Sequence, residues 1–103
     1  MAVLISGTTP TITFTFTEIE PSMIVSAYLV IQCSGETVIE KDISLATVGE
    51  TTLAWTLEQT DTLKFIGKYD AEVFCDWKTQ DGTRGRSQVG KYQIEKSGKS
   101  CEI

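Results

Sequence analysis

Residues Thr11-Ile12-Thr13-Phe14-Thr15-Phe16-Thr17 alternate threonine with an apolar side chain without a break. A repeat of two is that of a β-strand, whose successive side chains point to opposite faces, and it does not fit the helical repeat of about 3.6 residues. Ile12, Phe14 and Phe16 therefore share one face and the threonines the other, as in an antiparallel strand with one side on a core and one in water. Threonine suits the wet side because its β-branch fits the pleat while its hydroxyl stays solvated. Such a strand is not stable alone. Its phenylalanines need a second apolar layer.

The same period returns along the chain. Ile24 to Cys33 predicts a long strand with Val25, Ala27, Leu29, Ile31 and Cys33 facing inward. Ser34-Gly35-Glu36 turns the chain, and Thr37 to Ile43 returns as its hairpin partner. A turn at Val48-Gly49-Glu50 leads into Thr51 to Leu57, where Leu53, Trp55 and Leu57 are in register to be buried. Gly67 opens the strand Lys68 to Lys78, with Tyr69, Ala71, Val73, Cys75 and Trp77 inward. Asp81-Gly82 favours a tight hairpin turn by tolerating positive φ, and the chain comes back as Arg84 to Glu95. Between Leu57 and Phe65 the middle is polar, which reads as a single helical turn with Thr60 as its candidate cap. With Val3-Leu4-Ile5 as a short first strand, the spacing predicts an antiparallel β-sandwich of about seven strands.

At 103 residues the chain holds one domain, expected over residues 1–96, with 97–103 a frayed tail. Strongly apolar stretches such as Leu29-Val30-Ile31 are far short of a membrane span, and Met1 to Gly7 lacks the basic region of an export signal. The expectation is a chain with no signal peptide. Nine basic against 14 acidic residues give a net charge of −5, with no basic stripe apart from Arg84 and Arg86 beside a turn. Nucleic acid and anionic membranes are thus not expected as partners.

Histidine is absent, which removes the usual general base and the commonest metal ligand. Cys33, Cys75 and Cys101 form no C-x-x-C pair, so neither a zinc site nor a dense disulfide framework is expected. They read as two buried thiols and one loose one; the alternative, a Cys33–Cys75 bridge, would show as lost hydrogen mass under non-reducing conditions. Asp70, Glu72 and Asp76 share the outer face of one strand, a solvated sheet surface rather than the cleft a glycosidase needs. Without asparagine or a dense acidic loop, calcium is not expected either. Ser97-Gly98-Lys99-Ser100 echoes the end of a phosphate-binding loop but lacks its upstream glycine. Trp55 and Trp77 fall on inward faces, as core rather than as stacking platforms. The reading is of no enzyme and no cofactor. The remaining candidate is the strand Val3, Leu4 and Ile5, which carries no guarding charge and could add to a partner's sheet or simply pair within its own.

The order of the pieces carries a resemblance. Ile5-Ser6-Gly7-Thr8-Thr9 leads into the threonine alternation, and Tyr28-Leu29-Val30-Ile31-Gln32 precedes Val38-Ile39-Glu40-Lys41-Asp42. Leu57-Glu58-Gln59-Thr60 precedes Gly67-Lys68-Tyr69, and Gln80-Asp81-Gly82-Thr83 precedes Arg86-Ser87. This resembles the immunoglobulin-like domains of phage tail and baseplate proteins, especially the N-terminal domain of baseplate upper proteins of phages of Gram-positive bacteria. The resemblance implies an immunoglobulin-like sandwich with no catalytic motif and an architectural role in a phage or prophage particle. The implied partners are other virion proteins or a second copy, in the host cytoplasm during assembly and then in the virion. Two features depart from the family: no further domain is expected after this one, and Lys99 to Ile103 lacks an apolar last strand. The competing reading is a bacterial surface adhesion or carbohydrate-binding module, which calls for exposed aromatics and an export route.

If the alternation sets the core, Phe14→Ala costs about 3–5 kcal/mol in urea unfolding. An unchanged midpoint would contradict the register.

Overall fold

The computed structural model describes residues 2–17 and 19–96. Its strands are β1 (Ala2–Ile5), β2 (Thr11–Thr15), β3 (Ile24–Cys33), β4 (Glu36–Asp42), β5 (Thr47–Val48), β6 (Thr52–Thr56), β7 (Asp70–Thr79) and β8 (Arg84–Glu95). They form two sheets, one of five strands in the order β1-β8-β7-β3-β4 and one of three in the order β2-β6-β5. The fold is an all-β sandwich, as the period of two predicts. The strand beyond the expected seven is the two-residue β5.

All pairings are antiparallel except that of β1 with β8, which is parallel. These two strands stand at opposite ends of the chain with the whole sandwich between them, so no hairpin dictates their direction. The hairpins obey local chemistry. Ser34 and Gly35 both take positive φ, 54° and 80°, the twisted two-residue turn that joins β3 to β4. At the β7–β8 turn Gly82 supplies φ 90°, and the Asp81 carboxylate accepts hydrogen bonds from the Thr79 hydroxyl and the Thr83 amide. Lys78 and Arg84 are the last pair of the ladder, and within the segment between them the Thr79 amide donates to the Thr83 carbonyl at 2.9 Å.

The core lies between the sheets. Ile12, Phe14 and Phe16 are buried on one side, against Leu29, Ile31, Val73 and Cys75 on the other. Trp55, with no exposed surface, meets Phe14 edge to face at 5.9 Å between ring centres. Its indole N–H donates to the Asp42 carbonyl at 2.9 Å, so one side chain of the smaller sheet also ties down the end of β4 in the larger. Cys33 and Cys75 are both buried and free, so the alternative of a bridge is not realised. Burial pushes the Cys75 thiol up to about 12 and raises Cys33 as well, which makes both inert as nucleophiles.

Four side-chain expectations need correction. Val25 was expected inward, but Ile24 pairs with Thr79 and Ser26 with Lys78, leaving Val25 as the extra residue of a bulge. Parity slips there: Ile24 is buried and Val25 is half exposed. Tyr69, expected inward, is 86% exposed, because the ladder of β7 begins only at Asp70 and a turn at Gly67 precedes it. Trp77 is half-buried rather than fully enclosed; it meets Phe16 edge to face at 6.3 Å and its N–H donates to the Ser87 hydroxyl. The helical turn α1 (Gln59–Thr62) is capped by Glu58 and Asp61 in a reciprocal capping box, not by Thr60. Asp61 also forms an ion pair with Lys41 of β4 at 2.8 Å, with both side chains largely buried, and this closes one end of the sandwich.

Trp77 requires the absence of a side chain at its cross-strand neighbour Gly85. A Cβ there would stand 2.2 Å from the indole ring. Gly85→Ala is therefore expected to cost about 1–3 kcal/mol in chemical denaturation. A neutral result would mean that the indole has room to move aside.

Candidate functional site

Val3, Leu4 and Ile5 lie in β1, at the free margin of the five-stranded sheet. Leu4 turns into the core, whereas Val3 and Ile5 are 42% and 39% exposed on the outer face. The backbone is arranged by the same alternation. The Ser6 amide donates to the Glu95 carbonyl of β8 at 2.9 Å, so the amides of even-numbered residues face β8. Those of Val3 and Ile5 point the other way, where no strand lies among the described residues. The Ile5 carbonyl on that side already accepts the Thr8 amide and hydroxyl, which fixes the turn leaving the strand.

The next strand, β2, bounds the smaller sheet, so residues 6–10 carry the chain from the margin of one sheet to the margin of the other. No charged side chain occurs before Glu18, although the chain as a whole carries −5. The opposite margin is different. There β4 exposes Glu36, Glu40 and Asp42, and β5 is only two residues long. Charges and short strands are the usual guards against unwanted pairing. One side of the sandwich has them; the side of β1 and β2 does not.

Two of the three acidic residues of β7, Glu72 and Asp76, are occupied in the sheet, and Asp70 is exposed at its start. Asp76 accepts two hydrogen bonds from the Arg86 guanidinium, at 2.6 and 3.1 Å, and that guanidinium lies 4.6 Å from the centre of the Phe74 ring. Glu72 pairs with Lys91 at 3.7 Å. These cross-strand pairs give the outer face a structural use for its carboxylates. No group of three or more potential metal-ligating side chains gathers among the described residues. Ser97 to Ser100 and Cys101 lie outside the described residues, as does the expected tail 97–103.

Sequence reasoning missed two features of the surface. Tyr69 stands out between two hollows of about 250 and 270 Å³, the first also lined by Phe65 and Ile94 and the second by Cys33 and Ser34. On the outer face, Lys78 stands directly opposite Arg84. The hairpin centred on Asp81 is the signal that would have found this pair, since counting outward from it sets the two cations face to face.

No family model matches the chain, and no curated protein matches it in sequence. No helix among the described residues is long and apolar enough to cross a membrane.

Asp81 holds the hairpin that sets this register. The hydrogen bonds from Thr79 and then Thr83 lower its pKa from 3.8 to about 2. A carboxyl depressed on folding contributes stability that is full above its ordinary pKa and is lost as pH falls through the lower value. Urea midpoints should therefore drop between pH 4 and 2 by more in the parent than in Asp81→Asn, whose amide oxygen keeps the acceptor without titrating. Equal drops would remove Asp81 from the acid response.

Proposed function

We propose that this chain is a non-enzymatic structural component of a phage or prophage particle, associated with the tail or baseplate. In this reading it is an immunoglobulin-like sandwich that docks by adding β1 to the sheet of a neighbouring virion protein or of a second copy. The observation that carries the reading is the unguarded margin: β1 offers free backbone groups flanked by Val3 and Ile5, in a stretch without charged side chains. An added strand would take up those groups as main-chain hydrogen bonds, while Val3 and Ile5 would set which partner fits. The sequence resemblance to phage tail and baseplate domains supports the particle in which this happens.

A second reading, a surface adhesion or carbohydrate-binding module, draws on Tyr69. An exposed aromatic ring beside shallow hollows is the kind of platform on which a sugar stacks. A glycan array separates the two: binding that is lost in Tyr69→Ala favours the module, and an array without hits favours assembly.

Two measurements test the assembly reading. Mass spectrometry of purified virions from the source lysogen should find the protein in stoichiometric amounts. Ile5→Lys, which puts a guarding charge on the margin, should abolish incorporation while changing stability by less than about 0.5 kcal/mol. Virions that lack the protein, or that take up the lysine variant normally, would overturn it.

A further inference from the structure

The outer face of the larger sheet carries an arrangement that the sheet itself does not explain. Ser26, Lys78 and Arg84 form one row across β3, β7 and β8, and Tyr28, Asp76 and Arg86 form the next. In the second row the charges cancel, because Arg86 holds Asp76 with two hydrogen bonds. In the first row they do not. Lys78 and Arg84 are direct cross-strand neighbours of like charge, and neither forms an ion pair or a side-chain hydrogen bond among the described residues. Like charges in that position destabilise a sheet. The arrangement is the more conspicuous in an acidic chain, where a single acidic residue at either position would have made a favourable pair.

A depression of about 230 Å³ lies at this place, lined by Ser26, Tyr28, Asp76, Trp77, Lys78 and Arg84. It is smaller than the usual small-molecule pocket, which starts at about 300 Å³, and it opens on a sheet face rather than in a cleft. Its dimensions suit one side chain projecting from a partner. Two uncompensated cations select a negative charge, and the half-exposed Tyr28 gives apolar and hydroxyl contact beside it.

We infer that Lys78, Arg84 and Tyr28 form a docking site for an acidic side chain of a partner polypeptide, its carboxylate seated between the two cations. The guanidinium of Arg84 offers paired donors that match a carboxylate, and Lys78 adds a point charge. The bound carboxylate relieves the repulsion that the free sheet bears. The site lies on the outer face and uses no residue of β1, so it stands or falls independently of strand addition at that margin.

The test is a titration of the full chain, followed by amide chemical shifts, with capped tetraglutamate, capped tetraglutamine and inorganic phosphate in turn. Tetraglutamate should give saturable shifts centred on Ser26, Tyr28, Lys78 and Arg84, which weaken with added salt and are absent with tetraglutamine. Arg84→Glu should weaken that binding by about tenfold or more. The same variant should melt at a higher temperature than the parent, since it replaces a repulsive cross-strand pair by an attractive one; a merely structural role for Arg84 predicts the opposite shift. The inference is overturned by an absence of saturable shifts, by equal shifts from tetraglutamine, or by undiminished binding in Arg84→Glu. Phosphate binding as tightly as tetraglutamate would also overturn it, in favour of a site for free anions.

Discussion

A sheet that does not close on itself must end in backbone amides and carbonyls that lack a strand to pair with. In this chain the problem is settled differently at the two margins. Beside β4 the margin is acidic, and β5 stops after two residues. Beside β1 the Val3 amide and carbonyl and the Ile5 amide are left without a partner strand among the described residues, and the first charged side chain comes only at Glu18. Backbone groups without a protein partner are stable only while water reaches them. On the exposed margin of β1 water can reach these groups in the free chain, and the proposal is that main-chain hydrogen bonds from an added strand replace it.

The rest of the sandwich is built to hold that margin rigid. Leu4 anchors β1 in the core, and the Ser6 amide fixes it to β8. Trp55 joins the two sheets through its packing on Phe14 and its hydrogen bond to Asp42. The Thr62 hydroxyl donates to the Thr8 carbonyl at 2.7 Å, so the helical turn braces the loop that links the two open strands. That turn is in turn held by Asp61, which caps it and pairs with Lys41. A strand presented in this way loses little conformational freedom when a partner pairs with it, which favours association.

Much of this was legible in the sequence because strand parity is a strict rule. The faces of β2, β6 and most of β3 and β7 follow from alternation alone, as Phe14, Trp55, Leu29 and Val73 illustrate. Parity fails where the ladder adds a residue or has not begun. Val25 is a bulge, which no local pattern announces, and Tyr69 precedes the first pair of β7. Thr60 lost the cap to Glu58 because the reciprocal bond needs an acidic partner three residues on, and Asp61 supplies it. The ion pair of Lys41 with Asp61 and the facing of Lys78 with Arg84 depend on which strands become neighbours and in what register. The sequence leaves open whether Val3, Leu4 and Ile5 pair within their own sheet or add to a partner's; the structure pairs them with β8 in their own sheet, at its outermost position.

Amide hydrogen exchange read at single residues, on the dilute chain and on the chain recovered in assembled particles, tests the open margin most directly. The account predicts fast exchange at Val3 and Ile5 beside slow exchange at Ser6 in the free protein, with strong protection gained at Val3 and Ile5 on assembly. Slow exchange at Val3 and Ile5 in the free chain, or unchanged fast exchange in the particle, would contradict it.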